Sequence, residues 1–314
     1  MDADAIGALL HATIRLTTPL LFAAIGGLFS ERSGVINIAL EGKMLLGALI
    51  GFMVAYSTGS PWLGMGAAIV AGAIVALLFA YVTVTLGADQ IVTAVAINLM
   101  MTGLTGVVFR VMKAANPGSL SAPTFPVWNI PLLNDIPFIG PLIFSHLPLV
   151  YLAFLLVPLA SFVFYRTTWG LSVRAVGEHP RAADTLGVKV PLVRYLCIIW
   201  SGMMAAVGGV VLSIGFNSTF IEGMTAGRGF IAFSAIVFGK WTPLGTMLAS
   251  LLFGFADAFQ LRVQTGILAP LGFPEIPYQF PVMLPYVVTL VALFFTGRMH
   301  WPAAAAIPYK REEA

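Results

Sequence analysis

The residues with the clearest chemical potential lie between Ser30 and Gly42, where polar groups interrupt two apolar stretches. Polar side chains inside a membrane are costly, and they are functional candidates for that reason. Asn37 and Glu41 are four residues apart, a spacing that predicts one shared face if the segment is helical. Two interpretations are equally weighted: a broken helix that lines a solute cavity, or an ordinary polar loop between helices.

Further hydrogen-bonding candidates follow along the chain. Gln90 and Asn98 are eight residues apart, which predicts that both face the same side of a helix. An asparagine in a membrane helix more often bonds a neighbouring helix than a solute. Arg15 has two possible roles: it could pair with Glu41, or its side chain could extend to the lipid headgroup region. The second role is slightly favoured.

A second polar interruption, residues 217–228, follows an apolar stretch and carries Asn217 and Glu222 directly after Phe216. Hydrogen bonds and ring stacking from these residues could recognise a hydroxylated or aromatic solute. A plain surface loop is an equally weighted interpretation.

Enzyme motifs are missing from the sequence. It contains no G-x-x-x-x-G-K-[ST], no H-E-x-x-H and no G-x-S-x-G, and its single cysteine, Cys197, has no partner for a disulfide. We therefore expect no catalysis, no bound metal and no cofactor held by this chain.

The composition predicts a membrane protein. Hydrophobic residues make up 59% of the 314 residues and charged residues 9%, whereas soluble domains carry about 25% charged residues. The net charge of +3 comes from basic residues scattered at segment ends, so nucleic acid is not an expected partner. The predicted fold class is all-α: a polytopic transmembrane bundle of eight to ten helices that forms one domain over residues 1–314.

Stretches of about 20 apolar residues locate the spans. The predicted spans cover residues 6–29, 36–55, 62–86, 91–109, 147–165, 195–214, 244–261 and 282–297, with a shorter apolar piece at 229–239. The loop at 166–194 is the most basic in the chain, which predicts that it is cytoplasmic. The loop at 113–146 contains only Lys113 and Asp135 as charged residues and is predicted to be extracytoplasmic.

The cytoplasmic loop contains the most specific motif, residues 174–188. Pro180 suits the first turn of a helix and Gly187 its end, while Ala182, Ala183 and Leu186 are predicted to form a small apolar face. Such a short helix could dock in a groove of a partner protein, although it could also be an ordinary amphipathic loop helix.

This motif resembles the coupling helix of ABC-importer permeases, because Ala182-Ala183-x-x-x-Gly187 matches the core of their E-A-A-x-x-x-G loop. Arg181 replaces the leading acidic residue of that loop. The stretch Gly34-Val35-Ile36-Asn37-Ile38-Ala39-Leu40-Glu41-Gly42 resembles the branched-chain amino acid/ribose-type permease family, closest to the nucleoside branch that works with a basic-membrane-protein-type lipoprotein. Gly215-Phe216-Asn217 and Gly227-Arg228-Gly229 also fit that branch.

The resemblance implies a bacterial cytoplasmic-membrane permease that imports nucleosides or related small polar solutes, such as simple sugars, by alternating access. It implies three protein partners: a second permease or a copy of this chain, a cytoplasmic ABC ATPase that uses ATP-Mg, and an extracytoplasmic substrate-binding lipoprotein. The implied solute pathway comprises Asn37, Glu41, Gln90, Asn98, Phe216, Asn217 and Glu222. The implied ATPase contacts comprise Glu178, Pro180, Arg181, Ala182, Ala183, Asp184 and Gly187.

The alternative is an ion-coupled secondary transporter. That mechanism would need paired carboxylates inside the membrane or inverted halves, and no docking helix. Glu41 and Asp257 are candidate carboxylates, but the sequence shows no clear internal repeat.

Overall fold

The computed structural model describes residues 3–116, 118–129, 144–264, 279–280, 283, 287, 291 and 301–309. Its helices are α1 (Ala3–Arg32), α2 (Leu40–Thr58), α3 (Pro61–Ala80), α4 (Gln90–Ala115), α5 (Pro148–Arg166), α6 (Thr168–Glu178), α7 (Pro180–Thr185), α8 (Val190–Val210), α9 (Arg228–Phe238) and α10 (Pro243–Gln264). π-helical turns extend α3 over Tyr81–Thr85 and α8 over Val211–Gly215. Strands β1 (Trp128–Asn129) and β2 (Ser145–His146) pair antiparallel, with Trp128 opposite His146.

Seven helices of the described part are long and apolar enough to cross a membrane, which confirms the prediction of a polytopic helical membrane protein. They are α1, α2, α3, α4, α5, α8 and α10. The predicted piece at 229–239 is present as α9, which at 11 residues is too short to span. The predicted last span, 282–297, lies outside the described residues except for three isolated positions.

The helix boundaries follow from local chemistry. Proline occupies the first turn of α3, α5, α7 and α8, where its missing N–H costs nothing. Asp89 precedes α4 and accepts hydrogen bonds from the N–H groups of Ile91 and Val92, at 2.9 and 2.8 Å. Gly59, with φ of 71°, ends α2 in the left-handed conformation.

Helix α8 lies at the centre of the bundle. In the most apolar 18-residue stretch of this span, 83% of the residues are buried, compared with 33% in the corresponding stretch of α4. Small residues permit this burial: a Cβ on Gly209 would lie 1.8 Å from the Met44 carbonyl oxygen of α2, and one on Gly47 would lie 2.3 Å from the Ala206 carbonyl oxygen. The glycines at positions 47 and 51, spaced as in membrane helix-packing motifs, both face α8.

The two ends of the bundle are defined by the contacts of α1. Near its beginning, His11 stacks on His146 of β2 with ring centroids 4.2 Å apart, and we call this the hairpin end. At its last residue, Arg32, the carbonyl oxygen lies against Gly177 of α6, and we call this the α7 end. Segments 118–129 and 166–189 therefore lie toward opposite ends of α1.

Two boundaries differ from the prediction. Helix α2 begins at Leu40 rather than near 36, because residues 33–39 are not helical. Gly34 has φ of 82°, and the Gly34 and Val35 N–H groups turn back to bond the carbonyls of Glu31 and Ser30 at the end of α1. Residues 168–178 form helix α6 rather than a loop. The Thr167 hydroxyl accepts a hydrogen bond from the Gly170 N–H at 3.1 Å and caps this helix.

Candidate functional site

The break between α1 and α2, residues 33–39, lies inside the bundle. The Asn37 amide donates a hydrogen bond to the Ser201 hydroxyl at 2.9 Å, and Ser201 is in the middle of α8. Both residues are fully buried. Irregular backbone at membrane depth is tolerated only where protein or water satisfies it, and here protein side chains do so.

Two buried ionisable side chains, Lys43 and Glu31, each bond Asn37. Lys43 is 0% exposed, donates a hydrogen bond to the Asn37 side-chain oxygen at 2.8 Å, and lies 4.6 Å from the centre of the Phe79 ring. Glu31, 1% exposed, accepts a hydrogen bond from the Asn37 backbone N–H at 2.8 Å. Lys43 is not among the predicted site residues, although it is the only charged residue between Glu41 and Asp89 in the sequence.

Gln90 and Asn98 of α4 hold the backbone of the same break. The Gln90 side-chain oxygen accepts from the Ile36 N–H at 2.7 Å. The Asn98 side chain accepts from the Gly42 N–H at 2.8 Å and donates to the Ile38 carbonyl at 3.1 Å. The two residues face the same side, as predicted, and Asn98 makes the inter-segment bonds that its residue type favours.

Glu41 caps the first turn of α9. Its carboxylate accepts hydrogen bonds from the N–H groups of Gly227 and Gly229, at 2.8 and 2.6 Å. A negative charge at this position is also stabilised by the positive end of the helix dipole. Gly229 is required here, because a Cβ would lie 2.3 Å from the Glu41 nitrogen.

The predicted shared face of Asn37 and Glu41 is wrong. Asn37 precedes α2 and Glu41 lies in its first turn, so the two point to α8 and α9 respectively. Glu41 also does not pair with Arg15, whose guanidinium lies 4.6 Å from the Phe216 ring and donates to the Phe216 carbonyl at 3.3 Å.

The second polar interruption opens a cavity of about 420 Å³ between α1, α10 and the segment that precedes α9. Phe216 and Asn217 line it together with Arg15 and Arg228. The Asn217 amide donates to the Leu212 carbonyl at 2.9 Å, and the Arg228 guanidinium lies 3.9 Å from Asp257. This wall presents an aromatic ring, an amide and two cationic groups.

Glu222 faces a different space. It lines a neighbouring cavity of about 710 Å³ with Lys113 and Phe109, and its carboxylate lies 3.4 Å from Arg110. The side chains of Arg110 and Glu222 are 67% and 45% exposed. The seven predicted pathway residues thus fall into three places: the break (Asn37, Glu41, Gln90, Asn98), the first cavity (Phe216, Asn217) and the second cavity (Glu222).

At the α7 end, residues 180–187 form the predicted short helix and its stop. Pro180 occupies the first turn of α7, and Gly187 has φ of 84°. Ala183 is buried against the bundle, whereas Ala182 is exposed and Leu186 is 85% exposed. The predicted single apolar face is therefore wrong: Ala183 anchors the helix, and Leu186 projects away from it.

These features define a multi-pass α-helical membrane protein with helices broken inside the bundle and a short exposed helix at one end. A family model described as "Branched-chain amino acid transport system / permease component" matches residues 9–295. The chain belongs to this family of membrane permeases.

Three relatives share most of the chain. The guanosine ABC transporter permease protein NupQ of Bacillus subtilis is 39% identical over 95% of this chain and 95% of its own. The nucleoside ABC transporter permease protein NupC of Lactococcus lactis subsp. cremoris is 38% identical over 93% of each chain. The putative glucose ABC transporter permease protein TsgC13 of Haloferax volcanii is 37% identical over 97% of this chain and 98% of its own.

Proposed function

We propose that this chain is the membrane-spanning permease subunit of an ATP-driven ABC importer for nucleosides, working by alternating access in a bacterial cytoplasmic membrane. The observation that carries the proposal is the match, over nearly the whole chain, to relatives named as nucleoside ABC transporter permeases. Simple sugars are the second solute class, because they need the same hydrogen-bonding groups.

Solute contact is assigned to the 420 Å³ cavity, whose volume lies in the range of about 300–1,000 Å³ typical of small-molecule sites. Phe216 offers an aromatic ring for a nucleobase, and Asn217 offers an amide for base edges or ribose hydroxyls. The other pathway candidates at the break make hydrogen bonds within the protein; they are Asn37, Glu41, Gln90 and Asn98. Their role in transport is to hold the broken helices that shape the pathway.

The ATPase partner is assigned to α7 and its flanks, residues 178–187. This surface combines the exposed Arg181 and Ala182 with Leu186, which is 85% exposed. An apolar side chain presented this fully to water on a short helix suits insertion into a partner's groove. The other predicted contact residues lie within α7 or directly beside it; they are Glu178, Pro180, Ala183, Asp184 and Gly187.

The remaining partners complete the transporter. A second permease, or a copy of this chain, would pack beside it in the membrane. Bacillus subtilis has a second guanosine ABC transporter permease protein, NupP, besides NupQ, which favours two different permeases. A substrate-binding lipoprotein would dock at the hairpin end. ATP-Mg would be bound and hydrolysed by the ATPase, not by this chain.

The test is uptake of radiolabelled guanosine, glucose and leucine by the complete complex reconstituted in liposomes. ATP-dependent uptake of guanosine above the other two solutes supports the proposal. Uptake driven by an ion gradient without ATP would instead establish the secondary-transporter alternative.

Substitutions at two positions test the assigned cavity and the assigned docking surface. Asn217→Ala should raise the KM for guanosine by about 5- to 10-fold, the loss expected for one hydrogen bond of about 1–1.5 kcal/mol. Leu186→Asp should abolish ATPase co-purification and uptake, whereas Leu186→Met, which keeps the apolar contact, should preserve both. An unchanged complex with Leu186→Asp would refute the docking assignment.

A further inference from the structure

The described residues near the carboxyl terminus, 301–309, form a strap across the α7 end of the bundle. Backbone hydrogen bonds fold the strap into a turn, from the Ala305 N–H to the Pro302 carbonyl and from the Ile307 N–H to the Ala304 carbonyl, at 2.9 and 3.2 Å. Ala304 is only 4% exposed, and Pro302 is also buried. The strap is therefore seated on the bundle rather than lying free on its surface.

One side of the strap binds the end of α6, directly before the proposed ATPase-docking helix. The Ala304 N–H donates to the Gly177 carbonyl at 2.9 Å, and the Ala303 N–H donates to the Glu178 carboxylate at 3.3 Å. Gly177 also packs closely against the end of α1, because a Cβ there would lie 2.1 Å from the Arg32 carbonyl oxygen.

The other side of the strap reaches the break between α1 and α2 through Arg194. This arginine is 1% exposed and donates to two carbonyls, that of Ser33 at 3.3 Å and that of Ile307 at 3.1 Å. The Ala304 carbonyl oxygen also lies against Gly34, 3.1 Å from the position of a Cβ there. One buried side chain thus bonds the strap and the break together.

The start of the strap is tied to the turn between α9 and α10. The Trp301 and Trp241 rings have centroids 4.9 Å apart, and the Trp241 carbonyl accepts a hydrogen bond from Arg32 at 2.6 Å. Three segments far apart in the chain therefore meet on the strap: the end of α6, the α1–α2 break and the α9–α10 turn.

We propose that the strap positions the α6–α7 segment on the bundle and transmits its movement to the α1–α2 break during transport. Energetic coupling between distant sites is carried by packed side chains and hydrogen-bond networks that link them. Here the connection runs from Gly177 through Ala304 and Ile307 to Arg194 and Ser33. The inference rests on the proposed ATPase docking at α7, and it adds a positioning role for residues outside the docking surface.

The first experiment compares two truncations and does not depend on transport. One ends the chain at residue 300 and removes the strap; the control ends it at residue 309 and keeps the strap. Hydrogen exchange, measured by mass spectrometry on the complete complex, should become faster in peptides covering residues 168–188 only in the shorter chain. Equal exchange in the two truncations would overturn the proposal.

The second experiment measures guanosine transported per ATP hydrolysed in the reconstituted complex. Ala304→Lys should displace the strap, because Ala304 is buried, whereas Ala303→Lys changes an exposed neighbour and serves as the control. The transport ratio should fall roughly 2- to 30-fold in Ala304→Lys, the range expected for a coupling mutation, with ATP hydrolysis retained.

Failure of the strap's role and failure of the proposed function would give different results. An unchanged ratio in Ala304→Lys, or an equal fall in Ala303→Lys, would overturn the strap's role. Absence of guanosine uptake by the unmodified complex would instead contradict the proposed function, while the exchange experiment would still decide whether the strap holds α6–α7 in place.

Discussion

Removal of the Glu41 carboxylate should destabilise the bundle strongly, because this one side chain accepts hydrogen bonds from two N–H groups at the start of α9, those of Gly227 and Gly229. Hydrogen bonds to charged groups contribute about 1.5–3 kcal/mol each, so Glu41→Ala should cost about 3–6 kcal/mol. Glu41→Gln keeps one acceptor and places an amide N–H₂ toward the other N–H, so it should cost about half as much.

The assay is the temperature at which half of the detergent-solubilised permease loses its monodisperse peak. At about 2–4 °C per kcal/mol, Glu41→Ala should lower that midpoint by roughly 6–24 °C. Glu222→Ala is the matched control, because it removes a carboxylate from an exposed ion pair worth about 0–1 kcal/mol. Equal shifts for the two alanine variants would refute the capping role of Glu41.

Three further substitutions test the hydrogen bonds at the break and the packing of α2 against α8. Asn98→Ala should destabilise the protein by about 2–4 kcal/mol in the same assay, since it leaves the Gly42 N–H and the Ile38 carbonyl without partners; a neutral result would contradict this role. Ser201→Ala should cost about 1 kcal/mol, through loss of the acceptor for the Asn37 amide. Gly209→Ala should cost at least about 1–3 kcal/mol by forcing α2 and α8 apart, whereas Gly66→Ala, with open space around it, should leave the midpoint unchanged or slightly higher.

The elements of this fold could be predicted from the sequence because their signals are local. Apolar stretches of membrane length located the seven described spans, since lipid requires about 20 apolar residues in a row. Pro180 and Gly187 mark the two ends of α7, because a proline ring and a left-handed backbone act within one turn. The family resemblance likewise rested on short contiguous motifs, and the match over residues 9–295 confirms it.

The site could be predicted only as a set of unusual polar residues. Glu41 and Asn98 were selected because a polar group is costly in an apolar stretch, but that cost says nothing about which partner removes it. Their partners lie 186 and 56 residues away in the chain, at Gly227 and Gly42. Only the packing of α2 against α4 and α9 decides that these side chains bind the protein backbone, while Asn217 and Phe216 face a cavity. Burial is a property of the whole bundle, so the sequence identifies its polar residues and the tertiary structure assigns their contacts.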